Sequence, residues 1–175
     1  RARTDKPAEE LLLRLYDFTC TLPYSNQYLQ NFCNMYAENK PFVETRWGKQ
    51  MLQYGHQGIA GVQRLLQKAF TLAQQDGMLD DYLPSIQIDV DNIMQIEQAL
   101  QEQAWDIAVL KVKNFALQRL KPVRGYEGYI KDQIQEMRAT AKKVMEEMQK
   151  YCFIQTINQF EQDKTTTKPL VAALC

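Results

Sequence analysis

The sequence predicts an all-α fold. Apolar residues recur at three- and four-residue spacing along nearly the whole 175-residue chain, Gly and Pro are scarce at 7 and 6, and the helix-forming Gln is abundant at 21. The one strand-like alternation, Ile86, Ile88 and Val90, is too short to build a sheet and reads as an extended loop. The expected architecture is an irregular helical bundle or short α-solenoid of about six to eight helices with a long C-terminal helix. Residues 1–164 read as one domain and residues 165–175 as a flexible tail.

Pro7 suits the first turn of an opening helix, with Glu9 and Glu10 favourably near its positive end. Leu11, Leu15, Phe18 and Leu22 follow at helical spacing until Pro23. Ser25 is a candidate N-cap for a second helix carrying Leu29, Phe32, Cys33 and Tyr36 on one face, with Asn39 and Pro41 closing it. Val43, Trp47 and Met51 form a stripe that reads as ending in the turn-like Tyr54-Gly55-His56-Gln57-Gly58. Ile59, Val62, Leu66, Ala69, Phe70 and Ala73 then predict a clean amphipathic helix, closed by Asp76-Gly77. Beyond the loop around Pro84, Asp89 or Asp91 is expected to cap a helix through Ile93, Ile96 and Leu100. Trp105, Ala108, Val112, Phe115, Ala116 and Leu120 continue that pattern with no Gly or Pro between, so one long helix and two shorter ones both fit. Pro122 is expected to start the most regular element. Ile130, Ile134, Met137, Ala141, Val144, Met148 and Tyr151 form a heptad seam at spacings of 4, 3, 4, 3, 4 and 3. That helix is expected to persist to Asp163, some ~54 Å at 1.5 Å per residue.

Charge is segregated along the chain. Lys+Arg and Asp+Glu both total 21, yet residues 69–110 hold eight acidic residues and no basic one. The flanks compensate, with nine basic against six acidic residues in 1–68 and twelve against seven in 107–175. Such segregation implies a polarised surface that steers charged partners. Two candidate partner-binding surfaces follow. One is an acidic face of Asp76, Asp80, Asp81, Asp89 and Asp91. The other is a basic turn of Lys111, Lys113, Arg119, Lys121, Arg124 and Lys131 with Tyr126 and Tyr129, where a helix N-terminus near Pro122 would complement an anion. The heptad seam is a third, packing either inside the domain or against another chain, including a second copy.

Catalytic motifs are absent. His56 is the single histidine, and its glycine neighbours make it read as a turn residue; Cys–His chemistry requires a thiol brought beside it by the fold. Asp89-Val90-Asp91-Asn92 begins like a calcium loop, but Met94 stands where the sixth position demands Gly and no Glu occupies the twelfth. No metal or other cofactor is expected. The four cysteines Cys20, Cys33, Cys152 and Cys175 form no CxxC pair and read as reduced thiols, with Cys20–Cys33 the first disulfide to test. No apolar run reaches the ~18–20 residues that span a bilayer. Arg1 in place of Met suggests an excised region or processed product.

These readings favour a non-catalytic protein-interaction domain, an adaptor or scaffold of an intracellular and cytoplasmic assembly, whose partners are other protein chains or a second copy. Overall neutrality argues against nucleic acid, because phosphate neutralisation normally needs a broad basic surface. The alternative is a nucleic-acid-associated helical domain using the basic turn 111–131.

Overall fold

The structure, a computed structural model, describes residues 40–126 and 128–172 together with individual positions between Glu10 and Asn34. Every regular element among them is helical. Two compact units are present: Phe42–Phe160, and a second drawn from Arg1–Pro41 and Glu161–Cys175. In the second unit, the described positions from Glu10 to Cys20 and from Asn26 to Asn34 are helical, on either side of a turn at Pro23 and Tyr24. Most residues expected to form the apolar faces there, including Leu11, Leu15, Leu29, Phe32 and Tyr36, lie outside the described residues, as do Cys33 and Cys175.

The Phe42–Phe160 unit is built around one long helix, α1 (Arg46–Gln74). Thr45 caps it, its Oγ1 accepting from the Gly48 N–H at 3.0 Å. Ile59, Val62, Leu66, Ala69 and Ala73 are each wholly buried along one stripe. The turn expected at residues 54–58 does not form; α1 runs through it. Its glycines serve close approach instead. A Cβ at Gly55 would sit 3.1 Å from Phe153 Cζ, and one at Gly58 would sit 2.5 Å from Met148 Sδ.

A 3₁₀ turn, Gly77–Tyr82, leads into α2 (Leu83–Gln101). The expected extended loop over residues 86–90 is therefore helix. Ile86, Val90 and Ile93 are buried at four- and three-residue spacing, while Ile88 points to solvent. Pro84 causes no break because it sits in the first turn, where its missing N–H has no intrahelical partner anyway. Helix α2 ends with neither Gly nor Pro. Ala104 N–H bonds to the Ala99 carbonyl at 2.8 Å and Gln103 N–H to the Leu100 carbonyl at 3.0 Å, a Schellman closure with Gln103 at φ 56°. Two short helices are the outcome, and α3 (Trp105–Lys113) follows.

Helical structure was expected through Leu120 but stops at Lys113; residues 115–123 have no regular structure, and α4 (Tyr129–Tyr151) starts well after Pro122. What holds the intervening backbone is a buried polar network. Asp89 is wholly buried, and its Oδ1 accepts the Gln118 N–H at 2.8 Å while its Oδ2 accepts from Arg138 Nη2 at 2.6 Å. The same Arg138 nitrogen also donates to the Gln118 carbonyl. Both polar groups of one extended peptide residue are thus satisfied by side chains from α2 and α4, which a helical Gln118 would not need.

Helix α4 packs on α1, and α1 also packs on α2. The buried stripe of α4 is Ile134, Arg138, Ala141, Met145 and Met148, with Cys152 beyond its end. The expected seam is rotated: Ile134, Ala141 and Met148 are buried, Ile130, Met137 and Val144 flank the core, and Tyr151 is 64% exposed. The seam's packing is internal, against α1.

The helix expected to run on to Asp163 breaks after Tyr151. The Phe153 N–H reaches back to the Met148 carbonyl at 2.8 Å, and the Phe153 ring stacks on Trp105 with centroids 4.8 Å apart. Side chains of α3 clamp the break: Trp105 Nε1 donates to the Gln155 carbonyl at 2.9 Å and Lys113 Nζ to the Ile154 carbonyl at 2.9 Å. Helix α5 (Ile157–Ala172) restarts on a reciprocal Thr156–Gln159 capping box, with Asp106 Oδ1 accepting the Ile157 N–H at 2.7 Å. It continues through residues 165–172, where the sequence suggested a tail.

Two outcomes follow. A Cβ added at Gly61 would meet nothing within 4 Å, so Gly61→Ala should stabilise the protein by about 0.5–1 kcal/mol, whereas Gly55→Ala should cost about 1–3 kcal/mol by pressing on Phe153; urea titration distinguishes them. Burial raises the Asp89 carboxyl above its ordinary value, held back by the Gln118 N–H and Arg138. An acid raised in this way lends stability that is complete below its unfolded value of about 3.9 and is lost as pH climbs through its folded value. Arg138→Met removes one restraint on that rise and strands a buried carboxylate. Its deficit should widen from about pH 4 to about pH 7, reaching about 3–5 kcal/mol. Equal deficits at both pH values in denaturation would show the two side chains to be uncoupled.

Candidate functional site

The basic residues singled out in the sequence are spread over three elements. Lys111 and Lys113 occupy the last turn of α3, Arg119, Lys121, Arg124 and Tyr126 lie on the extended segment, and Tyr129 and Lys131 open α4. Because α4 begins at Tyr129, the helix N-terminus expected near Pro122 does not exist, and no anion site forms there.

Their side chains divide into engaged and free. Lys113 is engaged in closing the 152–156 break. Lys111 Nζ donates to Gln95 Oε1 at 2.8 Å. Tyr126 OH donates to Asp76 Oδ2 at 2.9 Å, pinning the turn after Gly125, which adopts φ 70°. Lys121 lies 3.3 Å from Asp81, both largely exposed, a pair worth only about 0–1 kcal/mol. Arg119 and Arg124 are exposed and make no side-chain bond to any described residue, although the Arg119 carbonyl accepts from Ser85 Oγ at 3.2 Å. Tyr129 is 72% exposed, and Lys131 is half-buried.

Three of the five acidic residues, Asp76, Asp81 and Asp89, contact this same segment, though only Asp89 is buried. Asp76 Oδ1 caps the 3₁₀ turn by accepting the Met78 N–H, while Oδ2 holds Tyr126. Asp89 is buried rather than on a solvated face. Asp91 is exposed and accepts from Gln87 Nε2 at 2.7 Å, and Asp80 is exposed. The charge polarity visible in the sequence is therefore partly consumed inside the unit: the 3₁₀ turn supplies Asp76 and Asp81, and α2 supplies Asp89, to the basic segment.

His56 is a helical residue of α1, not a turn residue. Its Nδ1 lies 3.2 Å from Glu97 Oε1. The fold brings Cys152 against the same stretch of α1, with its Sγ 3.7 Å from the Met51 carbonyl oxygen. Burial pushes that thiol up to about 12, so it stays protonated and is no nucleophile at neutral pH. Among the described residues no cluster of three His, Cys, Asp or Glu side chains is arranged to hold a metal ion. None of the described helices is long and apolar enough to cross a membrane.

Helix α2 is flanked by two open clefts of contrasting charge. One, lined by residues of α1 and α2, carries Asp91, Glu97 and Glu102 and no cation. The other, about 330 Å³ between α2, α3 and the start of the extended segment, has no carboxylate; Asn92, Gln95, Lys111, Asn114, Phe115 and Gln118 line it. Of these only Lys111 was visible as a candidate in the sequence. The remainder come from three elements at no fixed spacing, and their amides look like ordinary solvated helix surface.

No family model matches the chain. Similar sequences are found among bacterial proteins that share one name, that of a subunit of the ATP-dependent helicase/nuclease. The one from Desulforamulus reducens is 26% identical over 175 residues, the one from Geobacillus thermodenitrificans 24% over 176 and the one from Bacillus licheniformis 27% over 181. Each match takes in 98% of this chain, and the chain spans about 14% of the length of these relatives. These similarities overturn the expected non-catalytic adaptor or scaffold, the expectation of no enzyme and the argument against nucleic acid as a partner: the relatives carry the name of a nucleic-acid-processing enzyme. Net neutrality is a poor guide to the local surface, because Asp89 and Arg138 are buried against each other and Asp76 is held by the neutral Tyr126, while Arg119 and Arg124 meet solvent.

The thiol environment gives a direct check. In the native protein a maleimide should modify the exposed Cys20 and spare Cys152, with Cys152 reacting only on unfolding; peptide mass mapping reads both.

Proposed function

We propose that this chain is part of an ATP-dependent helicase/nuclease, to which it contributes nucleic-acid contact through the basic segment 111–131. The observation that carries this reading is the similarity, over 98% of the chain, to several proteins of that one name. The geometry supports the assignment of the contact. Arg119 projects from a backbone fixed by Ser85, Asp89 and Arg138, and Arg124 from a stretch closed by the Tyr126–Asp76 bond, so their guanidinium groups meet phosphate without the segment having to order first. Lys121 exchanges a weak exposed partner for phosphate at small cost, and the exposed Tyr129 ring at the start of α4 offers a stacking surface. The Phe42–Phe160 unit is best read as an irregular bundle in which α1 is the central helix, and not as a solenoid, because α1 packs on both α2 and α4.

Charge reversal of Arg119, Lys121 and Arg124 to Glu tests the reading. The wild-type chain should shift a labelled single-stranded oligonucleotide in fluorescence anisotropy at low salt. The triple variant should bind at least tenfold more weakly, and its log–log salt slope should fall by about 2, from about 0.7 per lost phosphate contact. Equal affinity in the two proteins would remove the segment from the interface, and unchanged circular dichroism would show that the fold is intact.

A further inference from the structure

The carboxylate-free cleft beside the basic segment has a composition that phosphate contact does not require. A polyanion's backbone asks for cations; this cleft offers one cation, an aromatic ring and four carboxamides over an apolar floor. Each carboxamide presents both a donor and an acceptor, which is the complement of a nucleobase edge. The side-chain amides of Asn92, Asn114 and Gln118 make no hydrogen bond to any described residue. Gln118 is nonetheless held in place, since both its backbone polar groups are bound to the buried Asp89–Arg138 pair. Its amide is therefore positioned by the core and left free at the cleft.

Location strengthens the case. Phe115, Ala116 and Gln118, which line the cleft, belong to the same segment as Arg119, Lys121 and Arg124, so the cleft adjoins the stretch of backbone that carries those cations. Lys111 stands at the cleft, with Gln95 Oε1 2.8 Å from its Nζ. The adjoining cleft along α2, which shares Gln95, carries three carboxylates and repels the same ligand. Its volume of about 330 Å³ places the carboxylate-free cleft at the lower end of the ~300–1,000 Å³ typical of small-ligand sites.

We propose that this cleft receives one unstacked base of a single-stranded nucleic acid, with Phe115 as the aromatic contact, the amides of Asn92, Asn114 and Gln118 reading the base edge, and Lys111 taking an adjacent phosphate. A duplex keeps its bases stacked and does not enter. The proposal rests on the nucleic-acid reading above and adds the site at which a base is held.

The test compares three labelled probes of equal length on the 175-residue chain: a single-stranded DNA 12-mer, the same strand with abasic residues throughout, and a duplex. The base-containing strand should bind about fivefold or more tightly than the abasic one. Gln118→Leu, an exposed position, and the double variant Asn92→Leu/Gln118→Leu should both erode that preference and leave abasic affinity and salt slope unchanged. Equal affinity for the base-containing and abasic strands overturns the cleft proposal while leaving phosphate contact by the basic segment standing. A preference that survives both variants also overturns it, by placing the base elsewhere. Failure of all three probes to bind at low salt overturns the nucleic-acid reading and the cleft proposal with it.

Discussion

The buried contact between Asp89 and Arg138 is the constraint on which the rest of the unit depends. Each charge is costly away from water, and only mutual pairing with further hydrogen bonds offsets that cost. Here the further bonds go to the N–H and carbonyl of Gln118. The pair thereby joins three elements distant in sequence: α2, the extended segment and the third turn of α4. An apolar pair of the same volume would fill the space without specifying where the segment lies. The polar network sets its register to a single residue, because only Gln118 presents both backbone groups to it.

That register decides what the surface offers. With Gln118 fixed, the Arg119 carbonyl meets Ser85 and the Arg119 side chain is sent outward. The Tyr126–Asp76 bond closes the other end of the segment. The acids of α2 and the 3₁₀ turn thus act as internal anchors for a basic stretch, leaving the two arginines unpaired among the described residues. A chain with no net charge can in this way present a locally cationic face.

The helical class was legible because core burial imposes the 3.6-residue period on residues such as Ile59, Val62, Leu66 and Ala69. The Thr156–Gln159 capping box is a local signal too, although the expectation of one helix persisting to Asp163 concealed it. What was not legible came from long-range contacts. Gly55 and Gly58 look like turn residues in isolation, yet they lie inside α1 because Phe153 and Met148 need the space a Cβ would fill. Ile86, Ile88 and Val90 alternate by coincidence, since Ile88 has no core to face. The α4 seam is displaced because Arg138, a residue that binary patterning sends to the surface, is drawn inward by Asp89. Residues 114–120 carry a helical apolar pattern but give up helix for the same partner. Of the candidate site, the cations were visible as a cluster, whereas the amide-lined cleft depends on how α2, α3 and the segment meet.

The mode of anchoring has an evolutionary consequence. Between Gln118 and Tyr126 the segment is held by its own backbone, by Leu120 and Val123 packed on the core and by one tyrosine hydroxyl, while its cationic side chains add only the weak, exposed Lys121–Asp81 pair. Sequence drift at positions 119, 121 and 124 is therefore nearly free of folding cost. The electrostatic strength of this face is adjustable over generations independently of the core, so that related chains can retain the same scaffold and differ widely in how tightly they grip a polyanion.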